Sequence, residues 1–226
     1  MNTSRIFGDI KRKATFIFTN QIRMNGALLQ NHGKVVKHCQ FRCNGHDNAV
    51  YIEEGCVLNN CRIHIEGSKN RVMIGRNAFL RNVEIWIEDD NNSVSIGEKC
   101  RITGYTHFAA IEGTEIRIGK ECLFSQDISF RTGDSHSILD MNGVRINPSK
   151  SISIGEHVWI GNRVIITKGV SIPNDCVVGT GAIVTHPVDE SHSVIAGVPA
   201  KVVKHNINWD TERLKTEQRL YENFTN

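Results

Sequence analysis

The chain has 226 residues and carries 27 Lys and Arg against 24 Asp and Glu, which leaves a formal charge of only +3. This length is sufficient for one or two domains with a sizeable core, and the near-neutral balance argues against nucleic acid as a partner. The longest uninterrupted apolar runs have four residues, so we expect no transmembrane segment. Seven Cys, an odd number, without an export signal predict reduced thiols in a cytoplasmic protein.

The first 45 residues contain no repeating pattern, and we predict that residues 1–45 form an N-terminal cap segment with a short helix. Within this segment, Cys39 and Cys43 have the spacing of half a zinc site. A second Cys or His pair at suitable spacing is missing from the sequence, so core packing explains these thiols better than a metal site does. We therefore predict no bound metal.

A repeat of 22 residues follows this segment. The tetrads Val72–Gly75, Val94–Gly97 and Ile116–Gly119 share one pattern, and Ile52 lies one period before Ile74. Such regularity is typical of a solenoid, in which each repeat forms one coil and stacks on the next. The small residue four positions after the last aliphatic position is predicted to face the core in each unit: Cys56, Ala78, Cys100 and Cys122.

Residues 135–151 interrupt the repeat. They show no six-residue pattern, and they contain Asn142-Gly143, which is a turn signal, and Pro148, which cannot extend a strand ladder. A loop that the scaffold does not itself require is a common place for functional residues. We therefore predict that this segment is an extruded loop that carries the chemistry of the protein.

From Ile154 onward the period is six residues. An inward-facing aliphatic first position, a frequent Gly at the second position and a small or branched fifth position suit a short strand followed by a tight bend. Three strands and three bends close one triangular coil, and the 22-residue units are then coils with a four-residue bulge at one corner. We predict an all-β parallel solenoid over residues 46–203, with about seven coils and a length of about 34 Å, and a short amphipathic C-terminal helix within residues 204–226. The hexads begin at Ile154, Ile160, Ile166, Ile172, Val178 and Val184.

These hexads resemble those of the hexapeptide-repeat acyltransferases, whose fold is a left-handed parallel β-helix. Around the interruption, the runs Arg131–His136, Gly143–Asn147 and His157–Gly161 are similar to those of bacterial surface-polysaccharide O-acetyltransferases, in particular the polysialic acid O-acetyltransferases. The resemblance covers about residues 118–209 and includes the run Val194–Lys201. It implies the left-handed fold, which the periodicity alone does not determine.

The resemblance also implies an enzyme that transfers acetyl from acetyl-CoA to a hydroxyl of a capsule or lipopolysaccharide glycan, including sialic acid polymers. His136 and Trp159 fall where the family carries its catalytic pair. A histidine imidazole titrates near neutral pH, so it can accept the proton of a sugar hydroxyl that attacks a thioester, which typically accelerates a reaction by about 10²–10⁴. Trp159 is expected to lie beside the acetyl-thioester and to help position it.

In this family the donor lies in a groove between neighbouring subunits, so the resemblance implies a homotrimer. Small residues would let the pantetheine lie against the backbone, and Lys side chains would bind the phosphates. Arg131, Asp134 and Arg145 are expected to bind the acceptor, and Asp134 is also a candidate to orient the imidazole of His136. The residues expected to bind the donor are Trp159, Gly161, Lys168, Gly179, Gly181, Ala182, Pro199, Ala200 and Lys201.

Three alternatives remain open at this point. N-acetylation of a nucleotide-linked amino sugar would use the same fold and donor. Metal-dependent hydration on the related γ-class carbonic anhydrase scaffold requires three His around zinc, and the sequence shows no evident arrangement of that kind. A non-catalytic structural solenoid would leave the interruption without a role.

Overall fold

The computed structural model describes residues 15–215, and these residues are almost entirely β-structure. Residues 15–19 are helical and precede the first strand. The part of the predicted N-terminal helix that falls in residues 1–14 lies outside the described residues. Within residues 15–215, no helix is long and apolar enough to cross a membrane.

The strands form three sheets, here named A, B and C, and each complete coil contributes one strand to each sheet. Neighbouring strands run parallel, except for the antiparallel pair β23–β24 at the C-terminal end of sheet C. Sheet A contains β1 (Gln21–Met24), β4 (Gln40–Asn44), β7 (Arg62–Glu66), β10 (Val83–Ile87), β13 (Thr106–Ala110), β16 (Ile128–Arg131), β19 (Ile165–Ile166) and β22 (Ile183–Val184). Sheet B contains β2 (Leu28–Asn31), β5 (Ala49–Ile52), β8 (Arg71–Ile74), β11 (Ser93–Ile96), β14 (Glu115–Ile118), β17 (Ile152–Ile154) and β20 (Ser171–Ile172). Sheet C contains β3 (Val35–Lys37), β6 (Val57–Asn59), β9 (Phe79–Arg81), β12 (Arg101–Ile102), β15 (Leu123–Phe124), β18 (Trp159–Ile160), β21 (Val177–Val178), β23 (Val194–Gly197) and β24 (Ala200–Lys204).

The register of the strands explains the repeat lengths in the sequence. In sheet B, Ile52, Ile74, Ile96 and Ile118 lie opposite one another on successive strands. The next partner of Ile118 is Ile154, because the interruption lies between them, and each later coil is completed by three hexads. The 22-residue units and the hexads are therefore two lengths of the same coil, and the predicted all-β parallel solenoid is confirmed.

Inward-facing side chains fill the interior of the solenoid. The rings of Phe108 and Phe130 stack with centroids 4.8 Å apart, and Phe124 lies 5.6 Å from Phe130. All seven Cys are free and buried, and the prediction that Cys56, Cys100 and Cys122 face the core is confirmed. Burial of this apolar surface is the main favourable contribution to folding. The first residue of every hexad is buried: Ile154, Ile160, Ile166, Ile172, Val178 and Val184.

A column of buried polar side chains runs along the corner between sheets A and B. Asn48, Asn70 and Asn92 are at most 2% exposed. Each Oδ1 accepts the backbone N–H one coil further on, at 2.9 Å from Asn70, 2.8 Å from Asn92 and 2.9 Å from Thr114. Thr114 then donates its hydroxyl to Thr132 Oγ1 at 2.7 Å. This ladder satisfies the backbone at the bulged corner, and it ends where the interruption begins.

The N-terminal boundary predicted at residue 45 does not match the sheets. Strands β1, β2 and β3 begin sheets A, B and C, so the first coil starts at Gln21. Gln21 pairs with Gln40 in sheet A, whereas Leu28 pairs with Ala49 in sheet B. The two steps are 19 and 21 residues long, and neither equals the 18 or 22 residues of the later coils. For this reason a search for a fixed period missed the first coil.

The C-terminal end also differs from the prediction. Strands β23 and β24 fold back on each other, with Gly197 opposite Ala200, and cover the end of sheet C. Residues 205–215 contain no helix, so the helix predicted within residues 204–226 is wrong for its described part, and the remainder lies outside the described residues. Trp209 is instead buried against the solenoid, because long-range packing removes its indole from water here.

Candidate active site

The extruded loop leaves the solenoid at the corner between sheets A and B. It comprises residues 132–151, between the end of β16 and the start of β17. The segment folds back on itself, and Leu139 and Arg145 form an antiparallel bridge. At the tip, Asp140 Oδ1 accepts the backbone N–H of Asn142 at 2.9 Å. The predicted extrusion is confirmed.

Asn147 fixes the base of the extruded loop. It is 6% exposed, and its Oδ1 accepts the backbone N–H of Ile138 at 2.7 Å. Its Nδ2 donates to the backbone oxygen of His136 and to Asp134 Oδ2, both at 2.8 Å. These bonds lie on both sides of His136 in the chain and hold its backbone. Sequence reasoning assigned no role to Asn147, although the residue closes one of the motifs that carry the resemblance.

An ion pair between Asp134 and Lys168 ties the loop to the following coil. Lys168 Nζ also donates to the backbone oxygen of Asn147 at 3.2 Å. Hydrogen bonds from Lys168 and Asn147 hold the pKa of Asp134 below its usual range, so the carboxylate is charged at neutral pH. The carboxylate considered for orienting the imidazole of His136 is thus engaged elsewhere, and Lys168 belongs to the base of the loop.

Arg145 ties the other arm of the loop to the preceding coil. Its Nη1 lies 2.7 Å from Glu112 Oε1, and its Nε donates to Asn147 Oδ1 at 3.2 Å. The hydrogen bond from Arg145 lowers the pKa of Glu112. The guanidinium is about one-third exposed, so it faces solvent while it supports the loop. Sequence analysis did not identify Glu112.

His136 and Arg131 are exposed on neighbouring parts of the same corner. Arg131 ends β16, and its Nη2 donates to Ser135 Oγ at 3.4 Å, one residue before His136. An exposed imidazole on a fixed backbone can reach a hydroxyl that approaches from solvent. A groove open to solvent lies beside the loop at this corner, lined by Asp134, Lys150, Thr167, Lys168, Gly169, Thr185, His186 and Pro187.

Trp159 lies on the other side of the coil. It begins β18 in sheet C, and its side chain is 39% exposed because it alternates with the buried Ile160. Its strand neighbours are Leu123 and Val177, and its ring centroid lies 6.0 Å from that of Trp209. In a triangular coil the corner between sheets A and B lies opposite sheet C. The extruded loop and this indole are therefore on opposite sides of one chain.

The small residues predicted to bind the donor lie at the corner between sheets C and A. Gly181 is exposed, with φ +74° and open space where a Cβ would stand. Gly161 is buried, and a Cβ there would lie 2.9 Å from the backbone nitrogen of Thr180. Ala182 is completely buried because the fifth hexad position faces the core, so the prediction that it lines the donor groove is wrong. Gly179 is part-buried at the same corner, and three further predicted residues lie at the β23–β24 hairpin: Pro199, Ala200 and Lys201.

The structure therefore separates the predicted site into two parts. The loop part, at the corner between sheets A and B, contains Arg131, Asp134, His136, Arg145 and Lys168. The second part, on sheet C and at the corner that follows it, is called the donor half below. It contains Trp159, Gly161, Gly179, Gly181 and the β23–β24 hairpin. Within residues 15–215, no group of three or more His, Cys, Asp or Glu is placed so that it could hold a metal ion.

Sequence comparisons link this architecture to known proteins. A family model described as the hexapeptide repeat of succinyl-transferase matches residues 151–186. Two curated polysialic acid O-acetyltransferases, from Escherichia coli O1:K1 / APEC and from Neisseria meningitidis, are 49% and 50% identical over 88 residues, which is 38% of this chain. The matched segment spans only 28% and 41% of the length of these relatives.

Two solved structures resemble most of the chain. The polySia specific acetyltransferase NeuO has a TM-score of 0.80 and 29% identity, with 89% of this chain and 86% of that chain covered. The polysialic acid O-acetyltransferase OatWY has a TM-score of 0.69 and 31% identity, with 90% and 92% covered. The likeness to OatWY thus extends over nearly its whole length. The chain belongs to the hexapeptide-repeat acyltransferase family that includes the polysialic acid O-acetyltransferases, and its solenoid is the left-handed parallel β-helix of that family.

Proposed function

We propose that the protein transfers an acetyl group from acetyl-CoA to a hydroxyl group of a bacterial surface polysaccharide. Capsular polysialic acid is the first acceptor to test, because two curated relatives and one similar solved structure are named as polysialic acid O-acetyltransferases. The observation that carries the proposal is the exposed His136 on a loop whose base the buried Asn147 holds in place.

His136 is the general base in this proposal. Its imidazole accepts the proton of the acceptor hydroxyl while the hydroxyl oxygen attacks the carbonyl carbon of the thioester. The new C–O bond forms, the C–S bond breaks, and the departing CoA sulfur takes up the proton from the imidazolium. A thioester is already activated, so a direct transfer is sufficient. General-base catalysis of this kind contributes about 10²–10⁴ to the rate.

Trp159 is assigned to the donor half of the site. Its exposed indole stands among aliphatic side chains of sheet C and offers an apolar surface to the acetyl-thioester. The corner that follows carries Gly179 and Gly181, where the backbone is accessible to a pantetheine chain. Lys201 is exposed on β24 and is suited to a phosphate. Lys168 is less suited to this role, because its charge is paired with Asp134.

The two parts of the site meet, in this proposal, between two chains of a homotrimer. The extruded loop and Trp159 lie on opposite sides of one solenoid, so the loop of one chain would face sheet C of the next. A closed ring of three chains then contains three equal sites. This arrangement gives the loop a partner surface that a single chain does not offer.

The exposed guanidinium group of Arg131 favours an acidic sugar as the acceptor. Arg131 is exposed beside His136, and Arg145 is partly exposed on the other arm of the loop. Arginine binds carboxylates with two parallel hydrogen bonds, so Arg131 is the candidate to hold the carboxylate of an acidic sugar, whereas Arg145 is already paired with Glu112 and supports the loop. Asp134 is assigned to loop support, because its carboxylate is paired with Lys168.

Replacement of His136 by Ala tests the proposal. Release of free thiol from acetyl-CoA is measured with polysialic acid and with a panel of other glycans. The unmodified protein should release thiol only when an acceptor is present, and His136→Ala should lower kcat by about 10²–10⁴ without loss of the circular dichroism spectrum. Met141→Ala is the matched control, because Met141 is fully exposed at the tip of the same loop. Turnover of His136→Ala at the unmodified rate would refute the assignment.

The stability of the product in mild base identifies the bond that is made. An acetyl ester on a sugar oxygen is lost under these conditions, whereas an acetamide survives. A base-stable product on an amino sugar would therefore contradict O-acetylation and support N-acetylation instead. Mass spectrometry before and after the treatment provides the measurement.

A reducing compartment fits the cysteines, and we place the protein in the cytoplasm on this basis. All seven Cys are free and buried among aliphatic side chains, and such thiols persist where glutathione and thioredoxin keep them reduced. Cell fractionation with an antibody to the protein tests this placement.

A further inference from the structure

The segment that follows β24 packs a tryptophan against the proposed donor half of the site. Trp209 is 8% exposed. Its ring centroid lies 6.0 Å from that of Trp159, with the planes at 44°, and 4.1 Å from that of His157, with the planes only 7° apart. Trp209 thus links the corner between sheets B and C to the exposed indole on sheet C.

Trp209 is held by contacts of different kinds, although it belongs to no strand. Its Nε1–H donates to the backbone oxygen of His157 at 2.8 Å, and the imidazole covers one face of its ring. His157 is itself fixed by Asp175, with Nδ1 and Oδ1 2.9 Å apart. Sequence analysis assigned no role to His157 and placed Trp209 in a helix.

Trp159 is less constrained by its own sheet. Its strand neighbours Leu123 and Val177 are aliphatic, and 39% of its surface is exposed. An indole on an open sheet face has several accessible rotamers, and fixing one of them when a ligand binds costs conformational entropy. A fixed neighbour such as Trp209 restricts that choice before the ligand arrives, which lowers the free-energy cost of binding.

We propose that Trp209 is a positioning residue for the donor: it holds the indole of Trp159 in the orientation that receives the acetyl-thioester of CoA. This inference rests on the proposed function, which assigns Trp159 to the donor half of the site. It extends that site to the segment beyond the β23–β24 hairpin.

Three variants test the effect of Trp209 on donor binding. We expect Trp209→Ala to raise the KM and the Kd for acetyl-CoA about three- to tenfold, the cost of ordering one large side chain, with kcat at saturating donor nearly unchanged. Trp209→Phe keeps an aromatic ring and loses the N–H, so its increase should be smaller. Trp86→Ala is the matched control and should leave both constants unchanged. Trp86 also stacks on a histidine, His64, at 4.0 Å, but it lies on sheet A.

Fluorescence anisotropy decay tests the positioning itself. The chain contains three Trp, so the double variants Trp86→Phe with Trp209→Phe and Trp86→Phe with Trp209→Ala each leave Trp159 as the only indole. The rapidly decaying fraction of the anisotropy reports local motion of the Trp159 indole. We expect this fraction to be larger in the double variant with Trp209→Ala than in the one with Trp209→Phe, and we expect acetyl-CoA to reduce it. This readout does not depend on turnover.

The outcomes separate this inference from the proposed function. If the unmodified protein neither binds acetyl-CoA nor turns over, the proposed function fails and the inference fails with it. If the unmodified protein binds acetyl-CoA and Trp209→Ala binds equally well, only the inference is overturned. A lower melting temperature with unchanged KM, or equal anisotropy decay in the two double variants, would also overturn it, because Trp209 would then have a structural role alone. Should Trp209→Ala fail to fold, the smaller change in Trp209→Phe still decides the question.

Discussion

Asn147 is the residue on which the geometry of the extruded loop depends most directly. One buried carboxamide holds the backbone N–H of Ile138 and the backbone oxygen of His136, the two residues that flank Ser137. Because both bonds are to the backbone, they fix the path of the chain irrespective of side-chain rotamers. The imidazole of His136 can then point into solvent and still start from a defined position.

We expect Asn147→Ala to lower kcat at least tenfold while the KM for acetyl-CoA stays nearly unchanged, because the donor half on sheet C is not touched. The substitution removes the partner of two part-buried backbone groups. An unsatisfied buried group costs about 1–3 kcal/mol, so denaturant unfolding should show a loss of at most that order for each group. Steady-state kinetics with Met141→Ala as the control provides the comparison. An unchanged kcat in a destabilised protein would mean that the base of the loop does not control His136.

The Asp134–Lys168 pair predicts how the loop responds to pH. Lys168 and Asn147 lower the folded-state pKa of Asp134. The stabilisation is therefore complete above the unfolded value, which is about 3.9, and is lost only as the pH falls through the lower folded value. Asp134 stays ionised throughout the working range of the enzyme.

We therefore expect Asp134→Asn to lower kcat a few-fold at every pH above 5 without moving the acidic limb of the kcat/KM profile. Glu98→Gln, which changes an exposed carboxylate beside Lys99, is the control and should leave kcat unchanged. A shift of the acidic limb in Asp134→Asn would show that this carboxylate titrates with the catalytic group. Initial rates between pH 5 and 9, with saturating and limiting acceptor, provide the measurement.

Among the elements, the asparagine ladder determines the bulged corner of the central coils. Asn70 sits in the middle of the ladder. Its N–H donates to Asn48 Oδ1, its Oδ1 accepts the backbone N–H of Asn92, and its Nδ2 donates to the backbone oxygen of Asp89 at 2.9 Å. The residue is completely buried, so water cannot replace these partners in the folded state.

We expect Asn70→Ala to destabilise the protein by about 2–4 kcal/mol, since it leaves the buried N–H of Asn92 and the part-buried oxygen of Asp89 without their partners. The matched control is Ser95→Ala on the outward face of β11, where a change within about 0.5 kcal/mol is expected. Guanidinium unfolding followed by circular dichroism measures both values. A loss below 1 kcal/mol for Asn70→Ala would show that the corner relaxes to recover its hydrogen bonds.

How far these elements can be read from the sequence depends on their regularity. Equivalent backbone environments from Ile154 to Val184 select the same residue types, so the hexads and their inward faces were predictable. The first coil was not, because its turns differ in length, and the burial of Trp209 depends on a contact with His157 that no local pattern records. Ala182 is a different case. Its position as the fifth residue of a hexad already predicted that it faces the core, and this rule was a better guide than the resemblance that assigned Ala182 to the donor groove.

The sequence predicts which residues carry the chemistry of the candidate site, but not the contacts that hold them in place. The resemblance to the family's motifs predicted His136 and Trp159 as the catalytic pair. Support by Asn147 and Glu112 arises only when the extruded loop returns to the corner between sheets A and B. Such contacts join residues that are far apart in the sequence, and a single sequence contains no periodic signal for them.

At the scale of the whole molecule, the solenoid places the two parts of the proposed site on opposite sides. Each coil is closed, so a loop at the corner between sheets A and B and an indole on sheet C are separated by the packed core. A rigid scaffold of this kind does not bring them together by bending. Side-by-side packing of identical chains, as proposed above, would bring them together, because the loop corner of one chain would then face sheet C of its neighbour.

Mixed trimers test this arrangement. A chain with His136→Ala keeps an intact sheet C face, and a chain with Trp159→Ala keeps an intact loop. If the two chains carry different affinity tags and are expressed together, trimers that retain both tags contain either one or two copies of each. In a head-to-tail ring, every such trimer has one site that pairs an intact loop with an intact face, so we expect about one third of the unmodified activity per trimer. Each variant alone should be nearly inactive. Mixed trimers no more active than the separate variants would show that His136 and Trp159 act within one chain, because complementation requires that the two residues of a site come from different chains.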